Sequence, residues 1–320
     1  MWFDANKIGF NDKVNHYRAF WKEDIVWNYV PDDNKIYYIS EDGSIIKPNI
    51  YGNKNGGFGA NIVSNIYTDG IGVITFDGPV TRIGVSTFNQ KIKLKDIFIP
   101  ASVTGIYDYS FESTIINTIH LPKNVSNFDG MSYIYTNINY VSVDPENTTY
   151  EVYKGSIINK STKELIIGTN KSVLDSGISS IGFAAFSSRQ GIPSIILPQG
   201  VTEIKAYTFS WSDLSSVVIP SSVISIGREA FAITELTSIT IPSSVNKISQ
   251  YAFLNCNNLV DISVNATVPP TIPEPDENDG SIFGPVGSVS GRQIKVPASK
   301  VNVYKSASGW SYYASEIVAQ

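Results

Sequence analysis

The stretch from Leu214 to Phe253 is one phrase written twice. Aligning the copies pairs Val217 with Ile239, Ile219 with Ile241, Pro220 with Pro242, Val223 with Val245, Ile226 with Ile248 and Phe231 with Phe253, every pair at the same separation. A fixed period of about 22 residues marks a solenoid, in which each unit stacks only on its neighbours. The same Val/Ile, Ile, Phe triplet at offsets 0, +3 and +8 recurs at Val80/Ile83/Phe88, Val103/Ile106/Phe111, Ile178/Ile181/Phe186, Val201/Ile204/Phe209, Val223/Ile226/Phe231 and Val245/Ile248/Phe253.

Local chemistry gives each unit its parts. Alternating apolar residues ahead of Pro100, Pro122, Pro198, Pro220 and Pro242 make a short strand. The proline ends it, because it has no N–H to donate to a ladder. The Val-x-x-Ile segment turns inward, and the following Ala-Phe starts a brief helical or turn segment that drops the ring into the core. A unit this small cannot bury its apolar face alone, so stacking is obligatory.

Two stretches depart from the phrase. Residues 115–137 keep the strand, but Phe128 replaces the usual Ile and the Ala-Phe pair is lost. Residues 138–168 form a longer unit: Val141 and Val143 in a strand, a turn at Asp144–Asn147, and a hairpin of Ser156–Asn159 with Glu164–Gly168.

IPSSVxxIGxxAF, the DPENTTYEV…GSIINKSTKELI insertion and the ending IKVPASKVNVYKSASGWSYYASEI together resemble the BspA-type leucine-rich repeat proteins, over roughly 61–320. That family is common on the surfaces of gut Bacteroidetes, with similar arrays in some protists and in phages of those bacteria. The resemblance implies a β-rich α/β solenoid of leucine-rich repeats, each of about 22–23 residues. It also implies a non-enzymatic role in adhesion or recognition. The expected organisation is an N-terminal segment over 1–60, the repeats over 61–268, and a C-terminal cap over 269–320.

Residues 1–34 lie outside the resemblance. Asn11-Asp12 can cap a helix over about 12–22, and Trp2, Phe3, Phe10, Tyr17, Phe20, Trp21 and Trp27 crowd this segment. Such rings either close the open end of a solenoid or dock onto an assembly partner, since aromatics are enriched in interfaces. After them, Asp42-Gly43 between two β-rich runs predicts a hairpin over 35–48. Toward the C-terminus, 265–290 is rich in Pro, Gly and Ser, Gln293–Pro297 reads as a strand, and Val301–Ile317 reads as a short helical cap with Tyr304, Trp310 and Tyr313 over the last layer.

The chemistry-bearing residues are few. His16 and His120 are the two histidines, and neither sits in a nucleophile motif such as G-x-S-x-G. Cys256, the lone cysteine, precludes an intrachain disulfide and reads as a buried structural thiol. The acidic run Glu274–Gly280 lacks EF-hand spacing, and 287–292 lacks the P-loop Lys-Ser/Thr. No cofactor, metal or catalytic residue is expected. A net charge of −5 and the absence of a basic block argue against nucleic acid. No apolar run approaches the ~20 residues of a bilayer span.

The displayed strand face remains. If Ile97 and Ile99 point inward, alternation turns Asp96 and Phe98 outward, and the repeat carries that face through Thr118/His120, Ser194/Ile196, Ser216/Val218, Ser238/Thr240 and Asp261/Ser263. The candidate binding residues are therefore Asp96, Phe98, Thr118, His120, Ile196, Val218 and Thr240. The competing reading is that β-propensity alone put these residues there.

The functional expectation is a non-enzymatic recognition or attachment protein whose partner is a protein or surface glycan. The missing signal peptide, the aromatic start and Met1 favour a virion-associated protein of a gut Bacteroidetes phage. The alternatives are a secreted or cell-surface adhesin and, more weakly, a glycan-acting surface enzyme.

Overall fold

A computed structural model describes residues 32–49, 57–274, 281–284 and 289–320. The expected helix over 12–22, the seven aromatic docking residues and His16 lie outside the described residues, as does most of the acidic run after Glu274.

The chain opens with strands β1 (Lys35–Ser40), β2 (Ile62–Thr68) and β3 (Ile71–Phe76), followed by β4 (Arg82–Ile83) and β5 (Leu94–Phe98). The predicted hairpin at Asp42-Gly43 does not form. A turn is there, with Gly43 at φ 77° and Asp42 Oδ1 accepting from the Ser44 N–H at 3.1 Å. Residues 45–48 cannot return along β1, however, because its two edges are already taken antiparallel by β3 and β5. They run instead as irregular chain, Ile46 entering the core with its N–H on the Tyr38 hydroxyl at 3.2 Å. The hairpin of this region is β2–β3, turned at Asp69-Gly70, where both residues have positive φ.

From β4 onward the coils stack in parallel, apart from β5 on β1 and the antiparallel hairpins within residues 150–167, and the chain is a β-solenoid of about ten turns. One column stacks β4 on β6 (Gly105–Ile106). It resumes as β12 (Ser180–Ile181), β14 (Glu203–Ile204), β16 (Ser225–Ile226) and β18 (Lys247–Ile248). The other column holds β7 (Thr118–Leu121) on β8 (Tyr140–Val143). It continues with β13 (Ser194–Ile196) on β15 (Ser216–Val218), then β17 (Ser238–Ile241), β19 (Asp261–Val264), β20 (Gln293–Val296) and β21 (Ile317–Ala319).

Each proline sits where the strand stops, and its carbonyl accepts from the N–H three residues on, as from Val223 to Pro220 at 3.1 Å. Glycine after the inward Ile is required by close approach. A Cβ on Gly227 would lie 2.6 Å from the Ala206 backbone nitrogen.

The Phe-bearing segment is a turn, and this corrects the α/β expectation. The α-helix among the described residues, α1 (Val301–Ser306), lies beyond the repeats. An α-helix would keep its N–H groups for its own carbonyls, whereas this segment exports alternate ones to the next coil. Tyr207, Phe209 and Trp211 donate to the carbonyls of Arg228, Ala230 and Ala232 at 2.8–2.9 Å. The residues two before and two after each Phe take left-handed φ so that these donors align: Ala184/Ser188, Tyr207/Trp211, Glu229/Ile233 and Tyr251/Asn255. The rings then stack, with Phe209–Phe231 centroids at 5.4 Å and Phe231–Phe253 at 5.3 Å, 1° from parallel.

The unit around Phe128 is less degenerate than its sequence reads. Val125, Phe128 and Tyr133 keep the 0, +3, +8 spacing, and Tyr133 takes the lost Phe's place, stacked on Phe111 at 4.7 Å. Its turn is a short 3-10 helix over Gly130–Tyr133, with Asp129 Oδ1 accepting from the Met131 N–H.

The longer unit holds β9 (Tyr150–Tyr153), β10 (Ser156–Asn159) and β11 (Glu164–Ile167) as consecutive antiparallel hairpins, β11 then pairing parallel to β12. Two buried apolar clusters meet there. Ile157, Ile166 and Ile167 belong to the N-terminal one, while Ile158 and Leu165 belong to the C-terminal one. At the far end Tyr304, Trp310 and Tyr313 are all buried, with Tyr304 OH donating to the Ala266 carbonyl and Trp310 Nε1 to the Pro270 carbonyl.

Candidate binding face

Strands β5, β7, β13, β15 and β17 carry the sequence-predicted binding residues. Pleating sends alternate side chains to opposite sides, so Ile195 and Val217 are buried while Ile196 and Val218 are 66% and 53% exposed. These two are direct register partners, flanked by the register pair Ser194/Ser216. Thr240, on β17, is also exposed and lies in register with Ser263 on β19, which pairs on to Lys295 of β20.

The seven candidates do not make one continuous ladder. Asp96 and Phe98 are on β5, the edge of the sheet β2-β3-β1-β5, where their partners are Ile39 and Tyr37 of β1. Thr118 and His120 pair with Tyr140 and Ser142 of β8. The hairpins of β9–β11 then intervene before Ile196 and Val218. Sequence reasoning passed over Tyr140, 50% exposed with Lys171 Nζ 4.5 Å above its ring. The signal was there, since Tyr140 lies one repeat period after Thr118, but the surrounding unit looked irregular.

Electrostatics make the first part of this face uncharged. Burial pushes the Asp96 carboxyl up to about 8, against the Ile97 backbone N–H, which lowers it. Its Oδ1 is enclosed without a hydrogen-bond partner. Burial pulls His120 down to about 4, opposed by the nearby charge of Asp144, so its ring is neutral at pH 7. His120 Nδ1 and Ser142 Oγ are hydrogen bonded at 2.8 Å. That is the contact a nucleophile and its base would make, yet an imidazole titrating near 4 is a poor proton acceptor at neutral pH. Cys256 is buried, its thiol donating to the Phe231 carbonyl at 3.0 Å, and burial raises its pKa. Both features are those of a thiol that holds structure. Among the described residues no group of three or more His, Cys, Asp and Glu is placed to hold a metal ion, and no helix is long and apolar enough to cross a membrane.

What this face can do is offer a flat, partly apolar strip bordered by small hydroxyls. Among solved structures the chain is similar to the pneumococcal vaccine antigen PcpA, at a TM-score of 0.59 and 17% identity, over 75% of this chain and 66% of that one. It is also similar to a leucine-rich cell surface protein of Faecalibacterium prausnitzii, at a TM-score of 0.46 and 20% identity, over 75% and 57%. At such identities the likeness concerns the fold alone, and the chain spans under two thirds of either structure. No curated protein sequence is similar enough to this chain to match it. The model of the BspA-type leucine-rich repeat region matches six copies over residues 66–178 and 168–271. With that match over more than half of its length and the stacked parallel coils to go with it, the chain belongs to the BspA-type leucine-rich repeat family.

Proposed function

We propose that the protein is a non-catalytic, adhesion-type recognition protein that presents its strand face to a macromolecular partner at a cell surface. The observation that carries this reading is the adjacent pair Ile196 and Val218, held in register and left in solvent while their strand neighbours Ile195, Leu197, Val217 and Ile219 are buried. An exposed apolar strip rimmed with polar residues marks a contact surface. The family supports the scaffold role, since its repeats generally serve binding and not turnover.

The test is attachment of the purified chain to cells, wild type against the Ile196→Asp/Val218→Asp double variant. Attachment should fall at least tenfold while the melting temperature stays within about 2 °C, because both side chains are already solvated. Undiminished attachment would remove this face from the function. A virion-associated role is a second reading, favoured by the aromatic content of residues 1–34. It requires that the chain co-sediment with phage particles and that deletion of 1–34 abolish this. Incorporation of the deleted form would end it.

A further inference from the structure

The turns on the other side of the coils carry a second set of outward side chains. The left-handed positions flanking each stacked ring hold small, polar or aliphatic residues in eight cases: Ser86, Gln90, Ser113, Ala184, Ser188, Glu229, Ile233 and Asn255. Five others carry a large aromatic there: Tyr109 at φ 59°, Tyr135 at 57°, Tyr207 at 60°, Trp211 at 63° and Tyr251 at 60°. A bulky Cβ substituent at positive φ is unfavourable, and these rings are not core. Trp211 is 51% and Tyr109 36% exposed. Stability would favour Gly or Asn at all of these sites. Backbone strain kept at exposed aromatic residues points to use of the rings.

The rings come from coils on both sides of the β9–β11 hairpins, yet they converge. Tyr135 and Trp211 meet edge to face at 5.8 Å. Tyr135 lies within electrostatic reach of Glu229, Tyr207, Glu112 and Tyr109, and Tyr109 within that of Tyr207, Asp108, Glu112 and Asp129. Glu229 is paired with Arg228 at 3.1 Å. Arg228 also donates to Gln250 Oε1 at 3.3 Å and lies 5.0 Å above the Tyr251 ring. The result is an aromatic shelf with phenol hydroxyls, several carboxylates and a guanidinium along its rim.

Resting on the recognition reading above, we infer that this shelf is a glycan-binding subsite, with Trp211 and Tyr135 as stacking platforms for a pyranose and Glu229 and Arg228 as hydrogen-bond partners for its hydroxyls. Aromatic rings joining an apolar face to a polar edge suit a ligand whose C–H face is apolar and whose rim is hydroxyl. The carboxylate-rich rim fits a neutral polyol better than an anionic polymer. Size agrees. Rings that would each bury ~150–250 Å² if fully covered, and are here only partly exposed, offer a few hundred Å². That is below the ~800 Å² per partner of a stable protein interface, and it is adequate for a short oligosaccharide.

The experiment is binding of the full chain to an array of neutral and sialylated oligosaccharides, followed by calorimetric titration of the best neutral ligand. At least one neutral oligosaccharide should bind, and it should change the tryptophan emission of the wild-type chain. Trp211→Ala and Tyr135→Ala should each weaken it tenfold or more, and Trp211→Phe by no more than threefold. Trp211→Asn should abolish binding while melting at or above the wild-type temperature, which separates loss of the platform from loss of the fold. A silent array, binding indifferent to Trp211→Ala, or a loss that appears only on a sugar-free protein ligand would overturn the inference. If the array is silent but Ile196→Asp/Val218→Asp still abolishes attachment to cells, the shelf falls and the recognition reading stands.

Discussion

Asp96 and His120 are two titratable residues of the strand face with opposite consequences for stability. Asp96 is raised from its ordinary 3.8 to about 8 by burial, so the native state holds a proton that the unfolded chain releases. Its contribution to stability falls as pH rises through that window. His120 is lowered from 6.5 to about 4, so the unfolded chain takes up a proton first and stability falls as pH drops from 6.5 toward 4. Between pH 4 and 6.5 the two oppose each other; from pH 6.5 to 8 only Asp96 acts. Asp96→Asn should therefore raise the melting temperature most at pH 8 and little at pH 5, by about 2 °C for each kcal/mol recovered. His120→Gln should help at pH 4.5 and not at pH 8. Melting curves across this range check both signs, and an Asp96→Asn gain that did not grow with pH would refute the assignment.

The element that does most for cohesion is the exporting turn with its ring. Phe231 is fully buried between Phe209 and Phe253, so Phe231→Ala removes two stacked contacts and leaves a cavity in the middle of the column. The expected cost is about 3–5 kcal/mol by denaturant titration. The same substitution at the solvated Phe183 should cost under about 1 kcal/mol. A repeat's triplet thus predicts the energetics of its ring, whereas the residues beside the ring are set by backbone geometry. Sequence alone does not distinguish a Tyr that must sit at positive φ from one on an ordinary turn. That is why the aromatic shelf was invisible in it.

Across the whole molecule the weak point is the join made by the β9–β11 hairpins, where the ring column is broken. Gly168 takes a place beside Phe186, and a Cβ there would come within 2.0 Å of that ring. Among the described residues, backbone export from the Tyr133 coil has no equivalent partner, and Arg189 takes over the link. Its buried guanidinium donates to the carbonyls of Thr136, Gly168 and Ser187. Burial pulls it down to about 9, so it is still charged at neutral pH. Arg189→Met keeps the volume and strands three buried carbonyls, costing about 2–4 kcal/mol. In a solenoid, coupling is between neighbours. The substitution should therefore split one unfolding transition into two, with residues 57–157 exchanging amide hydrogens before 180–264. A single transition with uniform exchange would show that the hairpins couple the halves without it.

The period, the inward face of each coil, the strand ends and the buried thiol were all readable from residue types and spacing. Each depends on a local rule: alternation, a proline without a donor, a ring at a constant offset. Four things needed the folded chain. Residues 45–48 could form a hairpin by local rules, but the edges of β1 were occupied. Tyr133 completes a coil only once it is seen stacked on Phe111. Ile196 and Val218, one repeat apart in the chain, become a single exposed pair through parallel register. Arg189, an ordinary arginine in sequence, becomes the tie between two cores. In each case the deciding interaction joins residues distant in the chain, and the competition for edges, carbonyls and stacking partners is settled only when all the coils are in place.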